Sequence, residues 1–507
     1  MKFTRRHLVG AGLSLPFLTL SGNSLAQPRD GILRYGFLTW PPNLQPWISN
    51  GVAAGTVNTL IHRRLFSYTA KGELRGELAE SWSREGNRWT IRLRKDVLFH
   101  NGQPFTVDDL KWTIEQVAAE RSTAFMRGQL QSIVRIETPD KYSIRLETKE
   151  PLSILPLWFC SYHMPIVWHG SKPDEPIGAG PFRVIAQERG TSIEIAAFDR
   201  YYKPGMPKLK GIRFIVYADD NLRGAALEVG DVDMIEFVPW TSMNAMRANP
   251  RLQVDAQYGP FMDILFNGTR PPFNDPRVRR AVAHAVRRDD IVKTAFSGHG
   301  RVLEGVPIVE GSPWYDAELA RGWAYDPARS KALLAAAGFP NGFKTTLLSA
   351  GSIAMHKDTA EVTQQHLAQV GIEAELKLTD WSTRVSLGVR GQYDLAIHGI
   401  SAENNDPDGL TTVLDTSLSP SHQRSFGVEA PRTIAALARG RAEFDQMRRV
   451  QIYKDMQRAA LEEVPLVSLA WRSQAYGMQR YVRGFTNMPG ALSLAGAPAM
   501  LEDTWIG

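Results

Sequence analysis

The chain has 507 residues, of which 22% are charged, and its formal net charge is +6. Three basic residues, Lys2, Arg5 and Arg6, fall in a predicted export signal, so the mature chain keeps about +3 and gives no reason to expect nucleic-acid binding. Cys160 is the only cysteine, which excludes an intrachain disulfide, and its apolar neighbours Leu157–Phe159 predict a buried, inert thiol. About 480 mature residues are too many for one hydrophobic core, so we predict two or three domains.

Residues 1–26 are predicted to be an export signal that is removed near Ala26 and Gln27. Thr4–Leu8 is typical of a twin-arginine motif and precedes an apolar stretch too short to span a bilayer; an ordinary Sec signal is the alternative. No cysteine lies in this segment, so we expect no lipid anchor, and no later stretch is apolar enough for a transmembrane helix. The sequence therefore predicts a protein that is free in the periplasm.

The first predicted strand, Leu33–Leu38, leads into a loop that is rich in proline, Pro41–Pro46, and that cannot be helical. A helix is predicted next, over Gly51–Leu65.

The segment from Leu78 to Glu115 predicts a strand, a tight turn and a helix in that order. Trp89–Arg94 alternates apolar and polar residues, as a half-buried strand does. Asn101–Gly102 supplies the positive φ of a tight turn. Thr106 is expected to cap the following helix, with Asp109 at the third helical position in an arrangement that resembles a capping box.

Farther along, Ile177–Val184 predicts a glycine turn that enters a strand. Its Gly-x-Gly is weak evidence for a phosphate-binding loop, because Pro181 breaks the dinucleotide-binding pattern. In residues 277–292, apolar residues recur at helical spacing from Val278 to Val286. The arginines of this segment are therefore predicted to form the solvent face of a helix, in preference to a nucleic-acid contact.

The second half of the chain predicts alternating helices and strands. Asp326 and Gly338 have the positions of an N-cap and of the residue that ends a helix. The alternating segments Gly371–Leu378 and Tyr393–Ile397 predict two strands, and the helix between them begins at Trp381. This strand–helix–strand order is typical of a parallel α/β lobe.

Three stretches carry a resemblance to a known family. They are Leu-Ala-Glu-Ser-Trp at 78–82, Leu-Arg-Lys-Asp-Val-x-Phe-His-Asn-Gly at 93–102 and Pro-Phe-Thr-x-Asp-Asp at 104–109. They resemble the extracytoplasmic solute-binding proteins of family 5, which serve peptide-type ATP-binding-cassette importers. Later segments of the family type follow in the expected order, so the resemblance covers nearly the whole mature chain.

The resemblance implies an α/β, two-lobed periplasmic binding protein fold of the cluster C type, with an extra subdomain in the first lobe, closing around a central cleft. On this basis lobe I is expected to comprise 27–66, 177–265 and 480–507. The extra subdomain is expected at 67–176 and lobe II at 266–479.

The resemblance also implies candidate ligand contacts. The loop after the strand at 393–397 lies at the cleft of peptide-binding members, where an acidic side chain pairs with the ligand's ammonium group. By alignment from Trp381 this acid is Glu403, with Asp406 and Asp408 as nearby alternatives; a solvated turn around Asp-Pro-Asp-Gly is the other interpretation of all three. Glu has one more methylene than the Asp usual in peptide binders, which changes the geometry.

Backbone and aromatic contacts complete the expected site. Gly399 and Ser401 are expected to present backbone groups to an extended ligand, as in strand addition. Ile400 stands where oligopeptide binders commonly have Trp, which keeps other ligands open. Trp381 is expected to be either a wall of the binding site or part of the core. Trp40, in the N-terminal loop, is expected either to contact ligand or to pack under that loop.

No motif of an enzyme is visible: the sequence has no His-Glu-x-x-His, Walker A loop, Gly-x-Ser-x-Gly or Cys-x-x-Cys. We therefore expect a monomeric binding protein, not an enzyme, with no cofactor. Its expected partners are a small peptide or peptide-like solute and an inner-membrane ATP-binding-cassette permease complex. A metal–chelator complex, haem, a sugar or an opine-like compound is the alternative ligand in the same fold. A secreted hydrolase is the alternative from another class.

Overall fold

The computed structural model describes residues 30–48, 51–172, 175, 177–402, 404–489 and 497–507. The predicted export signal and Glu403 lie outside the described residues. Residues from Gly31 onward form one unit.

The first part of this unit contains one strand of the main sheet, one helix and then a small subdomain. Its elements are β1 (Ile32–Phe37), α1 (Gly51–Ile61), β2 (Phe66–Tyr68), β3 (Leu74–Gly76), β4 (Ala79–Glu85), β5 (Arg88–Leu93), α2 (Val107–Ala118), α3 (Arg127–Leu130), β6 (Ile133–Asp140), β7 (Ser143–Thr148) and α4 (Leu155–Trp158). The helix α1 ends four residues before the predicted end.

The subdomain is built around a four-stranded antiparallel sheet in the order β4–β5–β7–β6, beside the hairpin β2–β3. The predicted strand over 89–94 is β5. The predicted capping box is also confirmed, because the Thr106 N–H donates to Asp109 Oδ2 at 2.8 Å and Thr106 Oγ1 accepts from the Asp108 N–H. Gly102 has a φ of +83°, as the predicted turn requires.

The chain then returns to the main sheet and enters a second α/β half. The elements are β8 (Phe182–Glu188), β9 (Ser192–Ala197), β10 (Gly211–Val216), α5 (Asp220–Val229), β11 (Met234–Ile235), α6 (Trp240–Ala248), β12 (Leu252–Phe266), α7 (Pro276–Ala285), α8 (Arg288–Ala295), β13 (Gly300–Val302), α9 (Pro327–Ala336), β14 (Phe343–Ala350), α10 (Ala354–Gln369), β15 (Ile372–Thr379), α11 (Trp381–Val389) and β16 (Leu395–Ile400).

The last elements complete the second half and return to the first. They are α12 (Thr411–Leu414), α13 (Pro431–Ala442), α14 (Gln446–Glu463), β17 (Val467–Gln479), β18 (Val482–Arg483) and β19 (Trp505–Ile506), with short 3-10 turns at Leu319–Arg321, Pro407–Leu410 and Ala497–Glu502. In the described ranges, no helix has both the length and the apolar character needed to cross a membrane.

The main sheet joins both halves in the order β15–β14–β16–β12–β17–β11–β1–β10–β9–β8, with β13 beside β17. In the second half β14 pairs in parallel with β15 and β16, which confirms the predicted parallel α/β arrangement. Only β12 and β17, which pair with each other along most of their length, run from one half into the other. The ladder between them is irregular between Tyr258 and Phe261, and we refer to this crossing of β12 and β17 as the hinge.

The segment 277–292, predicted as one helix, is interrupted after Ala285, so that α7 and α8 cover it; its apolar residues from Val278 to Val286 are buried as predicted. The prediction that its arginines and those that follow form a solvent face is wrong for Arg279 and Arg288, each of which is 2% exposed. Arg279 donates to the carbonyls of Val464 and Phe273, and Arg288 to those of Ser468 and Trp323. Both guanidinium groups therefore satisfy carbonyls at the ends of elements, which helical spacing alone does not reveal.

Candidate functional site: the cleft beside the hinge

The cleft lies where the parallel strands of the second half end. Phe261 of β12 pairs with both Ile400 of β16 and Trp471 of β17, so these three residues form one row across the sheet. β16 ends at this row, and the carboxyl ends of parallel strands are where ligands bind in α/β sheets. Beyond the row β17 continues into the first half, and the indole of Trp240 in α6 donates to the Ser473 carbonyl at 2.9 Å.

The end of β16 leaves little room for side chains. A Cβ atom on Gly399 would lie 2.6 Å from Met262 Sδ and 3.3 Å from His356 Nε2, so a larger residue here would have to displace the Met262 side chain. β14 pairs with Leu395 and Ala396, the first two residues of β16. The later residues of β16 pair with β12. Ile400 and Ser401 are half-buried. This geometry is compatible with the predicted backbone contacts of Gly399 and Ser401.

The two predicted aromatic contacts have different surroundings. Trp381 is the first residue of α11 and is 37% exposed; its ring lies edge-on to His356 and His422, at 5.7 and 5.8 Å between centroids. It therefore lies beside Gly399, partly open to solvent. Trp40 follows β1 in the first half, is half-buried and packs against the core cluster of that half.

Asp406 and Asp408 are held in ion pairs inside the protein. Asp406 forms a bidentate pair with Arg449, at 2.5 and 2.7 Å, and Asp408 pairs with Arg441 at 2.8 Å. The side chains of Asp406, Asp408 and Arg449 are at most 10% exposed, and that of Arg441 is 30% exposed. Their burial and pairing argue against a solvated turn, and a ligand contact by either acid stays a prediction. Glu403 stays a prediction.

A buried cluster of charged groups lies under the end of β16. Asp263 Oδ1 lies 3.2 Å from His398 Nδ1, and both residues are almost completely buried. Burial raises the pKa of Asp263 well above its usual range and, together with the nearby arginines Arg384 and Arg472, lowers the pKa of His398 well below its usual range. Arg384 donates to the carbonyls of Ile397 and His422 and so fixes the end of β16.

Arg472, the residue after the row, was not among the predicted contacts. Its Nη1 donates to Met355 Sδ at 3.1 Å, its Nε is buried without an acceptor, and burial lowers its pKa to about 10, so it stays a cation at neutral pH. No carboxylate among the described residues forms an ion pair with it. The sequence signal that could have identified it is a single cation in an apolar strand, Leu469-Ala-Trp-Arg-Ser.

A cavity of about 610 Å³ is lined in part by Trp471. Its wall includes Tyr258 and the loop after β13, with the ion pairs Arg301–Glu310 and Arg321–Glu304. Both arginines of this wall are thus paired with acids, whereas Arg472 has no such partner among the described residues. Within the described parts of the chain, no three histidine, cysteine or acidic side chains come together as they would around a metal ion.

Comparison with known families gives one match. The family model described as bacterial extracellular solute-binding proteins, family 5 Middle, matches residues 73–420. Among curated proteins, the chain is 27% identical to the glutathione-binding protein GsiB of Pectobacterium atrosepticum, and the alignment covers 97% of this chain and 98% of GsiB.

Solved structures resemble the whole described unit. The periplasmic binding protein AgaA of A. tumefaciens R10, in complex with agropinic acid, is 34% identical with a TM-score of 0.84, covering 94% of this chain and 99% of AgaA. The periplasmic binding protein DppA of Helicobacter pylori, in complex with the peptide STSA, has a TM-score of 0.81 at 22% identity, covering 94% and 98%. The predicted α/β, two-lobed fold is thereby confirmed.

Proposed function

Because the chain belongs to the bacterial extracellular solute-binding proteins of family 5, we propose that it is the periplasmic substrate-binding component of an ATP-binding-cassette importer. The observation that carries the proposal is the hinge: β12 and β17 join two halves, and the ends of β14 and β16 open into a cleft beside it. Ligand enters the cleft, the lobes close over it and the closed form docks on the permease. A ligand drives closure only by binding the closed form more tightly.

The ligand that we propose is a peptide or a peptide-like solute. GsiB, at 27% identity over nearly its whole length, is named for binding glutathione, which is a peptide-like compound. The similarity to AgaA at 34% identity favours a second candidate of the same transport role, an opine-like ligand such as agropinic acid. Both candidates carry a carboxylate group, so both need a site that pairs with negative charge.

Within this proposal Glu403 pairs with the ligand's ammonium, Gly399 and Ser401 offer backbone groups, and Trp381 and Trp40 form walls. Ile400, at the end of β16, contributes its backbone and a half-buried side chain. Asp406 and Asp408 are left out, because their carboxylates are already paired with arginines.

The protein makes and breaks no bond in this proposal. The alternative of a secreted hydrolase gains no support from Cys160, because burial raises the pKa of this thiol to about 12 and leaves no thiolate at neutral pH. We further propose that the chain is exported by its predicted signal, cleaved near Ala26, and works as an unlipidated monomer in the periplasm.

The test is a thermal-shift screen of the mature chain from Gln27 onward. The panel holds di- to pentapeptides, glutathione, agropinic acid, N-acetylated controls, nickel with chelators, haem and oligosaccharides. A ligand that binds the native state raises the unfolding midpoint by mass action. A shift with peptides or agropinic acid is expected, and shifts with haem, sugars or metal complexes alone would contradict the proposed ligand class.

The role of Glu403 is tested separately with the best ligand of the panel. Glu403→Ala should weaken binding of the free-amine form by about tenfold or more, and binding of the N-acetylated form much less, because only the former offers a cation. Glu375→Ala, which removes an exposed acid from β15, is the matched control. Equal losses for both ligand forms would remove Glu403 from the proposed site.

A further inference from the structure

Arg472 differs from the other buried arginines of the second half. Arg279, Arg288 and Arg384 each donate to at least two backbone carbonyls. In the described structure, the acceptor found for Arg472 is the thioether of Met355, which is a weak hydrogen-bond acceptor. A partly buried guanidinium with so weak a protein acceptor is available to a partner from outside the chain.

The groups around Arg472 do not neutralise it. Asp263 is the acid that acts on it electrostatically, and it already lies against His398 and near Arg384. His398 and His356 also lie near Arg472, and burial keeps both neutral. Arg384 and Arg472 therefore share at most the one carboxylate of Asp263, and the cluster keeps net positive charge.

The position of Arg472 makes this charge available to a ligand. It follows Trp471, which pairs with Phe261 in the row that ends at Ile400, so it lies one residue beyond the end of β16. It is not completely enclosed, and the following residue, Ser473, already contacts the first half through Trp240. The partly buried guanidinium thus lies just past the end of β16, close to the irregular stretch of the β12–β17 ladder.

The start of α10 adds to the positive potential at the same place. Met355, the second residue of this 16-residue helix, contacts the guanidinium. The residue at its N-cap, Ile353, offers no side-chain acceptor to the first N–H groups. Uncapped N–H groups at a helix N-terminus favour an anion, and here they lie beside a buried cation.

We propose that Arg472, together with the first turn of α10, binds a carboxylate of the ligand, so that the protein selects acidic solutes. This inference rests on the proposed function and specifies its ligand class: the solute carries a carboxylate that enters the cleft beside the hinge. A planar carboxylate matches the two parallel donors of a guanidinium and displaces the thioether contact. Closure then removes water from an ion pair that spans ligand and hinge.

The first test compares acids with their neutral analogues. Glutathione, agropinic acid and Ala-Ala are titrated calorimetrically into the wild-type protein and into Arg472→Met, each beside its carboxyl-blocked ester or amide. We expect the variant to bind the acids about 30-fold or more weakly, and to lose most of the preference for acid over blocked form. Arg472→Lys keeps the charge but lacks the two parallel donors of the guanidinium. Its affinity for the acids should lie between those of the wild type and of Arg472→Met.

The second test needs no ligand. Because the unliganded protein holds an uncompensated charge, Arg472→Met should leave its unfolding midpoint unchanged or raise it. Arg301→Met is the matched control: Arg301 lies on β13, next to β17, is exposed and pairs with Glu310. This variant should change neither the affinity for acids nor the preference for acids over their blocked forms.

The outcomes separate the two proposals. A lower midpoint for unliganded Arg472→Met, or an acid preference that survives in this variant, would overturn the inference. If no probe binds the wild-type protein, the proposed ligand class fails, and the midpoint of the unliganded variant still decides whether Arg472 is a structural arginine or a ligand site.

Discussion

The ion pair between Asp406 and Arg449 allows a test of whether Asp406, in the loop after β16, stabilises the fold or binds ligand. Asp406→Ala removes two hydrogen bonds, of 2.5 and 2.7 Å, from a guanidinium whose side chain is 8% exposed. It also removes the acceptor of the Asp408 N–H at the start of the turn Pro407–Leu410. We expect the variant to be strongly destabilised while its binding site stays largely intact.

The magnitude follows from what is left behind. Removing one partner of a buried pair costs about 3–5 kcal/mol, because the other charge stays buried without compensation. Loss of the cap adds about 1 kcal/mol, and the remaining bonds of Arg449 to the Gly440 carbonyl and the Tyr453 hydroxyl offset part of this. A net loss of about 4 kcal/mol is therefore expected in the free energy of unfolding.

Urea unfolding followed by tryptophan fluorescence measures the loss, and calorimetry with the best ligand of the screen measures binding. The double variant Asp406→Ala/Arg449→Met should recover much of the stability, because it removes the orphaned charge as well. Wild-type stability together with lost ligand affinity in Asp406→Ala would contradict a structural role of Asp406, since Asp406 would then be paired with ligand and not with Arg449.

Two further predictions concern the first half and the contact between halves. Burial raises the pKa of Glu236 to about 7, above its unfolded value, so the folded protein binds this proton more tightly than the unfolded chain does. The free energy of unfolding should therefore fall by about 3 kcal/mol as pH rises from 4.5 to beyond 7. Urea unfolding across this pH range measures the fall, and Glu236→Gln should depend less on pH. Phe444, between α13 and α14, lies 6.5 Å from Trp89 of the subdomain and directly under Arg84. Phe444→Ala should therefore favour the open form, raising the radius of gyration in solution scattering and weakening binding about three- to tenfold, and an unchanged affinity would count against closure through this contact.

Signals that lie within a few residues were visible in the sequence. The capping box of Thr106 and Asp109, the N-cap Asp326 and the parallel strands around α11 all appear as predicted, because caps and amphipathic faces depend on neighbours three or four positions away. The two-lobed fold was predicted from the resemblance of several segments, in their order, to family 5. The glycine at 399 was also visible, but its reason, the close approach of Met262, was not.

The tertiary structure decided which charges face the ligand. Asp406 finds Arg449 43 residues away, and Arg472 lies beside Met355, 117 residues away. In the sequence Asp406 resembles a free acid in a turn, and Arg472 is a single cation in an apolar strand whose neighbours in space are not visible. Whether a buried charge is already paired depends on side chains that the fold brings together from distant segments, and spacing along the chain carries no information about such partners.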